Sequence, residues 1–173
     1  MNNDPVFQSF LESSMEGAQS LTRESDLVSI LPFPPFPSTR YLAMFQCDSL
    51  AGHPAIGLRN PGRISAEIHF PPNYLRELRT EEIVTLMGPG DLWHSNVRAP
   101  FVCVGDMAPG TPLVDIVTQL FEIFTYQNVN LTEGFNREAA EWARSRVDEF
   151  PVDSRPLRRP KVQAVHEEGG AEA

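Results

Sequence analysis

The segment Trp93-His94-Ser95-Asn96-Val97 is followed, after a short turn, by Phe101-Val102-Cys103-Val104-Gly105. An imidazole, an amide and a thiol therefore fall within ten residues of one another. A thiol is the strongest ordinary nucleophile of a protein, with a few per cent already thiolate near neutral pH. An asparagine amide beside it is a ready donor to the oxyanion that forms when a thioester is attacked. His94 offers either proton transfer or hydrogen-bonding support of the turn. Cys103 also has a plainer reading: free cysteine is among the most buried residue types, and residue type alone favours a buried strand thiol.

These residues lie between strand-like sequence and a long apolar helix. Tyr41 to Cys47 is apolar and aromatic between turn formers. Ile64 to Phe70 alternates, with Ile64, Ala66, Ile68 and Phe70 on one face. Ile83 to Met87 is a short apolar strand ended by Gly88-Pro89-Gly90, and the turn-rich stretch holding Gly57, Asn60, Pro61 and Gly62 leaves room for a fourth, weaker strand. Short connections predict an antiparallel meander. Ahead of it, Asp4 and Pro5 start a helix whose apolar stripe is Val6, Phe7, Phe10, Leu11, Met15, Ala18 and Leu21. The run from Pro32 to Pro37 ends helical or strand pairing and reads as a packed connector.

Beyond Cys103, Thr111 and Pro112 predict an N-cap and first turn for a nearly all-apolar core helix of Leu113, Ile116, Val117, Leu120, Ile123 and Phe124. A polar loop, Asn128 to Gly134, leads to a last helix capped by Asn136 that buries Ala139, Ala140, Trp142, Ala143 and Val147, with Pro151 past its end. The expected domain is 1–153, and the Pro-, charge- and Gly-rich stretch 154–173 reads as a flexible tail. Helix, strands, a cysteine-bearing irregular segment and further helices make an α+β fold.

A chain of 173 residues with 41% apolar content is one globular domain with one substantial core. The net charge of −9 and pI near 4.9 leave no basic face for nucleic acid. No apolar run is long enough to span a membrane, and Met1 to Pro5 lacks the regions of a signal peptide. Two cysteines, Cys47 and Cys103, make neither a disulfide framework nor metal-ligand spacing, and His53 and His69 are isolated. A reducing cytoplasm, with no metal and no cofactor, is the expectation. Lys161 alone among the 14 basic residues is lysine. A GC-rich genome accounts for this, as does selection against lysines that an activated acyl group would modify.

Four segments, in order and at similar spacing, resemble the ubiquitin-conjugating enzyme family. Phe70-Pro71-Pro72-Asn73-Tyr74 is similar to its Phe-Pro-x-x-Tyr-Pro signature, with Leu75 in place of the last proline. His94-Ser95-Asn96 is similar to the His-Pro-Asn motif, with Ser95 in place of proline. Val102-Cys103-Val104 resembles the Ile-Cys-Leu segment carrying the thioester cysteine, and Phe135 to Ala140 resembles the Leu-Asn-x-Glu-Ala-Ala start of a C-terminal helix. The tryptophan usual just beyond the cysteine is absent from Met107 to Pro112, and Arg76 to Glu82 replaces paired prolines. This pattern looks most like the divergent bacterial members encoded beside ubiquitin-like proteins and activating enzymes.

The resemblance implies a ubiquitin-conjugating fold: an N-terminal helix, a meander of about four strands, then C-terminal helices. It implies that Cys103 accepts a ubiquitin-like modifier from an activating enzyme as a thioester and passes it to an amine of a protein target, in bacterial antiphage defence. Asn96 would hold the loop and donate to the oxyanion, and His94 would support the turn. Glu133, with Asn130 and Thr132 nearby, matches the loop whose acidic group assists the incoming amine. Two alternatives stand beside this one. One is a catalytically silent member of the same fold, acting as a binding module or scaffold. The other is an unrelated α+β cysteine enzyme or ligand-binding domain; as a protease it would need His94 as base.

Overall fold

In a computed structural model, the described residues are 4–105, 107–132 and 134–160. Glu133, Lys161 and the remainder of the expected tail lie outside them.

The first helix, α1 (Pro5–Glu24), begins as its sequence dictates. The Asp4 carboxylate accepts from the backbone N–H groups of Val6 and Phe7, and Pro5 sits where a missing N–H costs nothing. Phe7, Leu11, Ala18 and Leu21 are buried, whereas Val6, expected on the same stripe, is exposed. Strands β1 (Val28–Pro32), β2 (Arg40–Phe45), β5 (Ile64–His69) and β6 (Val84–Gly88) form an antiparallel meander. Two further short strands, β7 (Val97–Arg98) and β8 (Phe101–Val102), extend it to six strands in the order β1-β2-β5-β6-β8-β7. A separate hairpin, β3 (Ala51–His53) with β4 (Gly57–Arg59), fills the turn-rich stretch where one weak strand was expected.

The alternation in β5 is clean: Ile64, Ala66 and Ile68 are fully buried, while Ser65, Glu67 and His69 are half-buried. Truncating Ile68 to alanine would cost about 2–5 kcal/mol, the usual range for such a core site. The strand β1 was not foreseen, because a proline run follows it directly. It lies at the sheet's edge, where the absent N–H of Pro32 leaves no gap in the ladder. A short helix, α2 (Thr80–Ile83), precedes β6, so Ile83 ends a helix and does not open the strand as expected.

The apolar helix α3 (Leu113–Phe124) packs on the sheet and against α1. Phe45 of β2 and Phe124 meet edge-on with centroids 5.2 Å apart. A Cβ added to Gly17 would stand 2.9 Å from Val114 Cγ2, so a larger residue there would force the Val114 side chain to shift. Pro112, not Thr111, occupies the N-cap position; the Thr111 hydroxyl instead donates to the Ala108 carbonyl at 2.8 Å. The helix α4 (Arg137–Arg144) is capped by Asn136, whose Oδ1 accepts from Ala139 N–H at 3.1 Å. Ala139, Ala140 and Ala143 are buried, but Val147 lies in a separate 3₁₀ turn and is exposed.

Of residues 154–160, read from sequence as the start of a tail, six are exposed and one is buried. Leu157 is buried, Arg158 pairs with Glu24, and Arg159 N–H donates to the Glu24 carbonyl at 2.9 Å. Among the described residues no helix is long and apolar enough to cross a membrane.

Candidate active site

Cys103 follows the two-residue strand β8, second from the sheet's edge, and is exposed. This overturns the buried-strand reading of its thiol. The β7–β8 hairpin has only two residues in each strand, and the chain leaves the sheet at Cys103. The register Thr85↔Phe101 sets β8 against β6, and Val97↔Val102 closes the β7–β8 hairpin.

Asn96 fixes the backbone that carries the thiol. Its carbonyl accepts from Cys103 N–H at 2.8 Å, and its Nδ2 donates to the Cys103 carbonyl at 3.0 Å. Its Oδ1 accepts from the Ser95 hydroxyl at 3.0 Å and from Asn130 N–H at 3.3 Å. With two donors on Oδ1, the amide is locked in one orientation, and Nδ2 carries a second hydrogen beyond the one given to Cys103. Ser95, where the resembled motif has proline, thus helps orient the amide next to it. It is fully buried, and its carbonyl accepts from Asn136 N–H at 2.8 Å, joining this segment to the cap of α4.

His94 is buried, and its Nδ1 accepts from Asn96 N–H at 2.9 Å. Burial holds the imidazole neutral with its pKa pushed down to about 3, against a weaker upward pull from the Asn128 backbone. A group so placed supports the turn and is a poor proton carrier near neutral pH. Its ring meets Tyr126 with centroids 4.4 Å apart, and Tyr126 stacks on Phe150 at 4.5 Å. Trp93 packs edge-on against both His53 and Trp142. Tyr126 has φ 61°, a strained value for a residue with a side chain, and its hydroxyl donates to the Trp93 carbonyl. Sequence inspection missed Tyr126, because a tyrosine at a helix end carries no local sign of this contact.

Asn130 and Thr132 share a polar loop: Asn130 Oδ1 accepts from Thr132 N–H at 3.0 Å and from its hydroxyl at 3.2 Å. Glu133, the carboxylate expected there, lies outside the described residues. Gly134 is tightly held, since a Cβ on it would meet Ala140 Cβ at 2.8 Å and Ser95 Cβ at 3.1 Å. The loop therefore presses against the His94–Asn96 segment.

Beside Cys103 is a cleft of about 210 Å³, lined by Thr80, Glu81, Phe101, Val102, Cys103 and Phe135. Phe101 and Phe135 are 47% and 45% exposed, unusual for rings of that size. Glu81 comes from α2, in the stretch that replaces paired prolines; no motif pointed to it. A wider groove, lined by Arg98, Arg137 and Glu138 among others, shares Phe135 with this cleft. Among the described residues no group of three His, Cys, Asp or Glu could hold a metal ion.

Cys47, the other free thiol, ends up elsewhere and buried. Burial pushes its pKa up to about 12, helped by the negative charge of Asp153. Tyr74 packs between Phe10 and Phe70, and its hydroxyl donates to the Thr111 carbonyl at 2.7 Å, a structural role.

Fold and site together define an α+β domain with an exposed thiol on an edge hairpin, its backbone bracketed by an asparagine amide. A scan of protein-family models finds none that matches the chain, and a search of curated proteins finds no match either.

Proposed function

We propose that this chain is a ubiquitin-conjugating-like enzyme, an acyl transferase working through a cysteine thioester in the ubiquitin-conjugating fold. The reading rests above all on Cys103, exposed and held at both its N–H and its carbonyl by Asn96. The order of the four sequence segments supports it. A cytoplasmic role in bacterial antiphage defence belongs to the same proposal, as do its partners: an activating enzyme, a ubiquitin-like modifier and a protein target.

In the first step Cys103 Sγ attacks the thioester carbonyl on the activating enzyme. A new C–S bond forms, the old one breaks, and the departing thiolate takes the proton from Cys103. In the second step a neutral amine attacks the Cys103 thioester, a C–N bond forms, the C–S bond breaks, and the proton lost by the amine leaves with the Cys103 sulfur as thiol. The free Nδ2 hydrogen of Asn96 meets the oxyanion, while Glu133 assists the amine. His94 keeps the turn in place and Ser95 keeps the Asn96 amide from flipping.

The test is incubation with the cognate activating enzyme, modifier and ATP, followed by non-reducing gels. A thiol-sensitive adduct is expected that is lost in Cys103→Ala and kept in Cys47→Ala. Cys103→Lys is expected to trap a reductant-resistant amide. No adduct with a verified cognate pair overturns the proposal and favours a silent scaffold of the same fold.

A further inference from the structure

The cleft beside Cys103 combines three chemical features that suit one kind of molecule. Two exposed aromatic rings, Phe101 and Phe135, form apolar walls, Glu81 contributes a carboxylate, and Cys103 contributes the reacting thiol. The neighbouring carboxylates Glu77 and Glu82 are paired with Arg79, whereas Glu81 has no partner among the described residues. A lysine side chain matches this arrangement. Its methylenes cover apolar surface while its ammonium keeps a polar partner.

We infer that Glu81 is the residue that receives the acceptor amine, with Phe101 and Phe135 packing its aliphatic stem, so that the cleft selects lysine over hydroxyl or thiol acceptors. This rests on the thioester reading of Cys103 for its biological setting, though the selectivity resides in the cleft itself. The ammonium first associates with the Glu81 carboxylate and then loses one proton to solvent. The free amine attacks the thioester carbonyl carbon and the C–N bond forms. The C–S bond breaks, and the second amine proton leaves with the Cys103 sulfur as thiol. A neutral nucleophile gains nothing from Glu81, since it has no charge for the carboxylate to attract.

The experiment needs neither modifier nor activating enzyme. Cys103 of the full chain is acetylated by exchange with a small thioester, and its discharge to Nα-acetyl-lysine or hydroxylamine at pH 8 is followed by intact mass. Glu81→Gln is expected to raise the KM for Nα-acetyl-lysine about three- to fivefold, the range of one exposed ion pair, with kcat held. The lysine-to-hydroxylamine ratio falls accordingly, and Glu81→Asp restores most of it. Phe135→Ala is expected to raise KM for Nα-acetyl-lysine but not for methylamine, which has no stem to pack. An unchanged KM in Glu81→Gln, or an equal effect on both nucleophiles, overturns the inference. A Glu81 effect on the acetyl thioester without any modifier adduct would sink the conjugation proposal and leave the amine site standing.

Discussion

The chain has two free thiols, in two regions that treat the same functional group in opposite ways. Cys47 follows β2, an interior strand flanked by β1 and β5, and the segment around Asp153 closes over it. That segment is tied down: Asp153 accepts from Asp48 N–H at 3.0 Å and pairs with Arg155 at 2.6 Å. Cys103 follows β8, a two-residue strand near the far edge, and stays exposed. Both strands have neighbours on either side, so what covers the chain just beyond the strand decides whether the thiol is buried or exposed. The two regions differ in what covers them.

The contrast is tested most strongly by alkylation. With a pKa near 12, Cys47 is thiolate in only about one part in 10⁴ at pH 8, so Cys103 should react at least about 10³-fold faster with iodoacetamide. Mass spectrometry after a time course reads this directly, and comparable rates at the two thiols would erase the distinction. Next in size is Asn96→Ala, which removes the clamp on Cys103. Transfer to an amine should slow about 10²- to 10³-fold while adduct formation persists, measured by single-turnover discharge.

A third comparison concerns stability. Cys47→Ser places a hydroxyl in an apolar site and should cost about 1–3 kcal/mol in urea unfolding, whereas Cys103→Ser should be near neutral. The fourth uses pH. The folded chain keeps His94 neutral down to about pH 3, while the unfolded chain protonates it near its ordinary value of 6.5. Its contribution is therefore fully present above pH 6.5 and is lost as the pH falls through that window. Between pH 7 and pH 5 the loss from this group should be about 2 kcal/mol, and His94→Gln should flatten the profile by that amount. The smallest effect is expected at the surface: Arg158→Ala, which breaks an exposed pair with Glu24, should shift stability by less than about 1 kcal/mol.

Features set by near neighbours were legible in the chain. The Asp4 cap, the Asn136 cap and the β5 alternation depend on spacings of two to four residues, and each stands in the structure as its spacing requires. The apolar run of α3 likewise announced a helix buried nearly all round. The edge strand β1 escaped notice because proline rules apply to paired N–H groups, and only the sheet order shows that Pro32 sits at an edge. The Thr111 cap failed for a similar reason: its hydroxyl had a competing partner in Ala108.

The site divides the same way. Sequence by itself determined which functional groups are present, because an imidazole, an amide and a thiol are properties of residue type. It also placed them near one another, because ten residues and a hairpin allow little else. Only the tertiary structure decided that Cys103 is exposed and Cys47 buried. The same long-range packing locked Asn96 against Cys103 and Asn130, and set Glu81 in the same cleft as the thiol. Exposure and long-range contact depend on the order of the strands and on what chain crosses their ends. Those are sums over distant residues that no local pattern records.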